Sequence, residues 1–396
     1  MSLQNPVFIP GPTNMPEAIR KAVDMPTMDH RSPAFAEILH PALDGVKRVM
    51  KTEHGSVIIF PATGTGGWEA ALTNTLSPGD KVLVGRNGMF SARWMKMCQD
   101  FGLDVQLIEV PWGQGLPAAE YHAALAADTG HAIKAVLATH NETATGVTSD
   151  IAAIGAAITS TGHPALFLVD GVSSVGSMDC RMDEWGIDVL VTGSQKGFML
   201  PAGLSIVGVS DKARAAYETA TLPRSFYDFR AMEAGYAANG YPYTPSVGLL
   251  NGLKLATEML LHEGLGNVFA RHKRIADGVR AAVGAWGLDI CAADPSVYSN
   301  SVTAIVTPEG FDSTTIVTRA AETYGMAFGV GLGEVAGRVF RIGHLGQLTD
   351  ALALSGLATA EMVMVDLGLD IELGAGVAAA QSVYRHGAAG AKQEAA

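Results

Sequence analysis

Seven short apolar runs recur through the first half of the chain, at spacings that leave room for a helix between most of them. They are Val57–Phe60, Lys81–Val84, Val105–Glu109, Ala135–Thr139, Ala165–Asp170, Val189–Thr192 and Leu204–Val209. Helix-patterned stretches intervene at Trp68–Leu76, Arg93–Phe101, Glu120–Ala127 and Ile151–Ser160. This alternation predicts an α/β domain on a mostly parallel sheet, because parallel neighbours need a crossover long enough to hold a helix. Such sheets bind ligands outside the carboxyl ends of their strands, so the residues just beyond these runs carry the functional argument.

From about residue 245 the texture changes. Val247–Glu263 and Phe269–Trp286 read as long helices, followed by strands at Leu288–Ala292 and Val302–Val306. A helix at Ser313–Tyr324, a strand at Val339–Ile342 and a last helix at Asp350–Leu367 complete a smaller α+β domain. The expected division is an N-terminal segment, residues 1–20, packing on the small domain; a large α/β domain, 21–250; the small domain, 251–385; and a flexible tail, 386–396, rich in Ala and Gly.

With 48% hydrophobic residues the chain has ample material for two cores. Its net charge of −12 argues against nucleic-acid binding, which needs a basic face to neutralise phosphates. The longest apolar stretches are strand-length, far short of the roughly 18 residues a membrane span requires. Residues 1–13 lack the basic and apolar regions of a signal peptide. Cys98, Cys180 and Cys291 are scattered without pairing spacing and read as reduced thiols, so the expected compartment is the cytoplasm.

Four features lie at or just beyond strand ends. Pro61-Ala-Thr-Gly-Thr-Gly-Gly67 runs directly into a helix, where free N–H groups and the helix dipole favour a phosphate. A plain tight turn would use the same glycines. The dinucleotide fingerprint fails because Glu69 stands where a small residue is needed, and no Gly-Lys-Ser/Thr follows. Asp170 closes the run Leu166-Phe-Leu-Val-Asp170, at the ligand crevice, although many strands end in Asp for turn chemistry. Gly171-Val-Ser173-Ser-Val175 lacks the second glycine of a hydrolase nucleophile elbow. Lys196, in Thr192-Gly-Ser-Gln-Lys196-Gly, is either a surface lysine or a reactive amine whose pKa burial would depress. Arg341, inside the apolar Phe340-Arg-Ile-Gly343, requires a carboxylate partner, internal or from a ligand.

Together these four supply what pyridoxal phosphate (PLP) needs: a phosphate cup, an acid for the pyridine nitrogen, a lysine for the aldehyde and an arginine for a substrate carboxylate. The ordered string Thr63-Gly-Thr-Gly66, Asn87-Gly-Met-Phe90, His140-Asn-Glu-Thr143-Ala-Thr-Gly146, Val169-Asp170 and Gly193-Ser-Gln-Lys196 resembles the class V aminotransferases. Within that family the chain is most similar to the alanine/serine/aspartate–glyoxylate aminotransferases. Phe8-Ile-Pro-Gly-Pro-Thr13 and Phe340-Arg-Ile-Gly343 belong to the same pattern, so the resemblance spans nearly the whole chain.

The resemblance implies a fold-type-I PLP transferase, its large domain holding a mostly parallel seven-stranded sheet, assembled as a homodimer with shared active sites. It implies that Lys196 carries the cofactor as a Schiff base and shuttles a proton, and that Asp170 keeps the pyridine nitrogen protonated. Val172 and Phe90 are expected on the two ring faces, Phe90 replacing the tryptophan common in the family. Thr143, replacing the common serine, is expected at the phenolic oxygen. Gly64, Thr65, Gly66 and Gln195 are expected around the phosphate. Tyr241 and Thr244, in Gly240-Tyr-Pro-Tyr-Thr-Pro, should reach the phosphate of the other subunit, and Arg341 should clamp the substrate's α-carboxylate.

The implied reaction is ping-pong transfer of an amino group from serine or aspartate, with alanine third, to glyoxylate. Aspartate requires a second cation, for which His30, Arg31, Arg93 and His344 are equal candidates. Two rivals are a cysteine desulfurase, which needs a low-pKa thiol near the substrate, and a non-catalytic protein on the same fold.

Overall fold

The computed structural model describes residues 6–393. Strand β1 (Val7–Phe8) comes first, then helices α1 (Glu17–Val23) and α2 (Ala36–Met50). The alternation follows as β2 (Ser56–Phe60), α3 (Gly64–Thr75), β3 (Lys81–Arg86), α4 (Met89–Asp100), β4 (Asp104–Glu109), α5 (Ala118–Ala127) and β5 (Ile133–Thr139). A short hairpin of β6 (Asn141–Glu142) and β7 (Val147–Thr148) precedes α6 (Ile151–Thr161), β8 (Leu166–Asp170), β9 (Val189–Gly193) and β10 (Ser205–Val209).

All seven apolar runs join one sheet in the order β2-β10-β9-β8-β5-β3-β4, with β10 antiparallel to its neighbours and every other pair parallel. Four of its strands, β5, β8, β9 and β10, are buried almost throughout, as strands covered by helices on both faces must be. Helices α3 and α4 begin a full turn before their apolar patterns, at Gly64 and Met89. Their first turns carry glycine or sit beside it, which hides them from a reading by periodicity.

The second half continues through α7 (Asp211–Ala216), α8 (Phe229–Ala237), α9 (Val247–Glu263) and α10 (Leu265–Ala285). Then come β11 (Asp289–Ile290), β12 (Val302–Val306), α11 (Thr314–Tyr324), β13 (Ala327–Val330), β14 (Val339–Gly343), α12 (Asp350–Asp366) and α13 (Ala375–Gln393). The small sheet has the order β1-β13-β14-β12-β11. Its edge strand β1 comes from the N-terminus and runs parallel to β13, with Val7 opposite Ala327 and Phe8 opposite Phe328.

Among the described residues two large hydrophobic cores form, with a small cluster of Ala304, Val335 and Val339 beside them. The first surrounds the large sheet and takes in Leu253, Ala256 and Leu260 of α9, residues expected on the small-domain side. The second gathers Phe8, Ile275, Trp286, Phe340 and Tyr384, so the division between the cores falls within α10. Helix α12 is not the last: α13 follows it and buries Ala380 and Tyr384 in the second core. The segment expected as a tail begins inside α13, and residues 394–396, like 1–5, lie outside the described residues. Among the described residues no helix is long and apolar enough to cross a membrane.

Candidate active site

The carboxyl ends of β5, β8 and β9 converge on one cavity of about 300 Å³. Lys196 and Gln195, just past β9, line it, as do Asp170 at the end of β8 and Thr143 beyond β5. Gly64 and Thr65 of the glycine-rich loop close one side, and Phe90 and Val172 complete the walls. Thus most of the residues singled out from sequence meet at one place, where strand-end logic puts them.

The phosphate cup is the first turn of α3. Thr63 stands at its N-cap in extended conformation without a side-chain cap, and the first backbone bond runs from the Gly67 N–H to the Thr63 carbonyl. The N–H groups of Gly64, Thr65 and Gly66 are therefore left to a ligand or solvent. A Cβ on Gly64 would stand 2.5 Å from Cγ2 of Val172, so glycine is needed for these two walls to approach. Gly66 does not line the cavity. A Cβ there would stand 2.4 Å from the Tyr227 hydroxyl, so that glycine makes room for a tyrosine.

Lys196 is half-buried, and its Nζ donates to the carbonyl of Pro10. Burial, reinforced by the charge of Arg341 and opposed by Asp170, lowers its pKa from 10.5 to about 8. Its stem packs on Gly11, where φ is +100° and a Cβ would stand 2.5 Å from Cδ, so only glycine serves. Asp170 Oδ1 accepts the Val172 N–H at 2.9 Å. Burial raises this carboxyl from 3.8 to about 7, with a further push from Glu142, against the Val172 bond and the Lys196 charge. The Trp68 indole N–H also favours the charged form but makes no well-formed hydrogen bond, and its Nε1 is buried without a partner.

Phe90 is fixed through its backbone. Glu142, fully buried, accepts the N–H groups of Phe90 at 2.9 Å and Ser91 at 3.1 Å through Oε2, and that of Ala144 at 3.1 Å through Oε1. The guanidinium of Arg93 lies over the Phe90 ring, 5.4 Å from its centroid, and Arg93 also lines the cavity. Asn141, which also lines the cavity, is held by bonds to Ser173 and Ser301.

Arg341 is buried but does not itself line the cavity. Its Nε donates to Val330 O at 2.8 Å and its Nη1 to Thr143 O at 2.9 Å, which ties the small sheet to the cavity wall. Among the described residues no carboxylate lies within 4 Å of it, so no internal salt bridge meets its charge. Burial lowers its pKa to about 10, while Glu142 attracts it.

Other expected residues stand elsewhere. The Tyr241 hydroxyl donates to the Ile59 carbonyl of its own chain and its ring packs on Phe35 and Tyr236, away from the cavity. Thr244 is exposed on the loop between α8 and α9. His344 is buried between Thr303 and the Asn300 carbonyl, and burial holds its pKa well below normal. His30 and Arg31 lie on a turn outside the cavity lining. Of the four candidate cations, Arg93 alone borders this cavity. Sequence reasoning missed Gly11, Pro12, Trp68 and Glu142; the Gly-Pro of the opening motif and the acid in His140-Asn-Glu were the available signals.

The chemistry of this cavity fits PLP. It offers an amine of depressed pKa, a buried acid with one donor of its own, an uncapped helix N-terminus and, on Gln195, a buried Oε1 without a partner. No cysteine lines it among the described residues. Burial pushes Cys98 up to about 12 and raises Cys180 and Cys291 as well, the reverse of what a nucleophilic thiol needs.

The sequence profile of the class-V aminotransferases matches residues 19–332, and the chain belongs to that family, whose cofactor is PLP. Over its entire length and that of the relative, it is 68% identical to the L-aspartate–glyoxylate aminotransferase of Paracoccus denitrificans. The serine–glyoxylate aminotransferase of Hyphomicrobium methylovorum is 49% identical over 97% of this chain and 95% of its own. The crystal structure of pyridoxamine–pyruvate aminotransferase from Mesorhizobium loti superposes with a TM-score of 0.91 at 30% identity, covering 97% of this chain and 98% of that one.

Proposed function

We propose that the protein transfers the amino group of L-aspartate to glyoxylate, giving oxaloacetate and glycine. The observation that carries the chemistry is the meeting of Lys196, Asp170 and the free N-terminus of α3 in one cavity. The choice of donor rests on the 68% identity with the aspartate–glyoxylate enzyme, against 49% for a serine–glyoxylate one.

When bound, PLP supplies an aldehyde and an electron-withdrawing ring that together let an amino acid lose its α-proton. Lys196 is the amine for that aldehyde, and a pKa near 8 keeps a usable fraction of it neutral at physiological pH. Freed from that aldehyde, the same amine would take the proton from the donor's Cα and return it to the former aldehyde carbon, on the far side of the amino nitrogen. Asp170 would hold a proton on the ring nitrogen, gaining there the counter-charge that its buried site lacks. Val172 and Phe90 would fix the ring plane, Thr143 would donate to the phenolic oxygen, and Gly64, Thr65 and Gln195 would cradle the phosphate. Arg341 would bind the α-carboxylate of donor and acceptor in turn.

The working unit is a homodimer, in which the exposed Thr244 faces the second subunit's cofactor. Three free thiols suit a reducing compartment, and we assign the protein to the cytoplasm.

The test is the visible spectrum of the purified, PLP-loaded protein during titration with aspartate, serine and alanine, followed by glyoxylate. Aspartate should bleach the yellow band at the lowest concentration and glyoxylate should restore it. Bleaching by serine at lower concentration would move the donor assignment to serine. A protein that stays colourless after added PLP would remove the cofactor reading.

A further inference from the structure

We propose that Arg93 reads the side-chain carboxylate of the amino donor and so makes the site selective for a dicarboxylic amino acid, an inference that rests on the aminotransferase reading above.

Arg93 follows Phe90 by three residues on α4, the spacing that puts two side chains on one helix face. The ring of Phe90 lies under its guanidinium, which leaves the N–H edge of that group free to meet a ligand. Among the described residues it makes no hydrogen bond and has no carboxylate within 4 Å, whereas Arg86, on the strand just before, is paired with Glu109. Arg93 is exposed in the single chain, and an arginine that rests over an aromatic face at the edge of a cavity can turn its N–H edge to a planar anion there.

The charges around the cavity point the same way. Among the described residues Asp170 is the one carboxylate on its lining and would be matched by the ring nitrogen of bound PLP, which leaves Arg93 and, behind the wall, Arg341 as the cations for a substrate. A monocarboxylic donor pairs with Arg341 and leaves Arg93 unmatched. A dicarboxylic donor satisfies both guanidinium groups. Because Glu142 pins the first turn of α4, Arg93 is carried on a fixed wall rather than a loose loop. His30, Arg31 and His344 do not border the cavity.

The experiment compares the PLP-loaded wild type with Arg93→Leu and Arg93→Lys. Calorimetry measures the binding of two unreactive probes, succinate and propionate. Stopped-flow bleaching then measures the half-reactions with aspartate and serine. Losing a charge-assisted pair should weaken succinate about 10- to 100-fold in Arg93→Leu, with propionate shifted less than about threefold. The aspartate-to-serine rate ratio should fall in step, and Arg93→Lys should recover part of both. Unchanged succinate binding in Arg93→Leu, equal losses for the two probes, or a wild type that does not prefer succinate would each overturn the proposal. If no amino acid bleaches the wild type, the aminotransferase reading fails, while the succinate–propionate contrast still judges Arg93 separately.

Discussion

The carboxylate of Glu142 accepts the backbone N–H of Phe90 at 2.9 Å, so the aromatic wall of the cavity hangs from a buried acid that never faces the ligand. In Glu142→Gln one side-chain oxygen becomes an N–H donor turned toward backbone N–H groups. The expected cost is about 1–3 kcal/mol of stability and a weaker hold on the cofactor ring. Thermal unfolding and PLP affinity measure the two effects, and an unchanged PLP affinity would remove Glu142 from the positioning of Phe90.

Gly64→Ala places a methyl group 2.5 Å from Val172 Cγ2. We expect a loss of about 1–3 kcal/mol from overpacking, together with reduced PLP affinity. Adding Val172→Ala should restore stability in part, because the clash is with that side chain. Additive losses in the double variant would place the strain elsewhere.

In the cofactor-free protein Asp170 and Lys196 act on stability in different pH windows. Asp170, raised from 3.8 to about 7, lets the folded state bind more protons between those values, so stability falls as pH rises across that window. Lys196, lowered from 10.5 to about 8, makes the unfolded state the stronger proton binder there, so stability recovers as pH rises from about 8 to 10.5. Each contribution amounts to a few kcal/mol at most. Melting curves across pH 4–11 should show the dip, and Asp170→Asn should flatten its acid side. A flat wild-type profile would mean that neither group is buried in its costly form.

Lys196→Ala should abolish turnover and, after borohydride treatment, leave no cofactor covalently attached to the chain. Normal turnover in this variant would take the Schiff-base role away from Lys196. In the wild type, PLP uptake should accelerate with pH up to about 8, as the amine loses its proton, and level off above.

Arg341→Ala should raise KM for donor and acceptor together, since one guanidinium is proposed to serve both. It also leaves the Val330 and Thr143 carbonyls unpaired, at a cost of about 1–3 kcal/mol. A KM change for one substrate alone would end the shared-clamp idea.

Much of the site was legible in the sequence because strand ends are legible. Once Ala165–Asp170 and Val189–Thr192 read as neighbouring strands of a parallel sheet, Asp170 and Lys196 had to emerge on one edge. The glycine-rich loop was visible for the same reason, although its helical first turn was not, since Gly and Thr are weak helix formers. What stayed hidden depends on contacts between distant segments. The motif His140-Asn-Glu marks Glu142, but its grip on the first turn of α4 shows only in the folded chain, as does the bond of the Tyr241 hydroxyl to the Ile59 carbonyl. Strand β13, only Ala327–Val330 with a glycine inside, is too short to announce itself without β1 and β14 on either side.

That pairing of β1 with β13 sets an order of assembly. The backbone immediately after β1, Pro10 and Gly11, cradles Lys196, yet β1 has no place in a sheet until β13 exists. A chain in which the large sheet is complete, lysine included, still lacks the strand on which Val7 and Phe8 pair until residues near 327 are available. Strand β1 thus cannot take its place in the small sheet before β13 does. Catalytic competence is withheld until nearly the whole polypeptide has been made, and half-made chains do not carry a finished site.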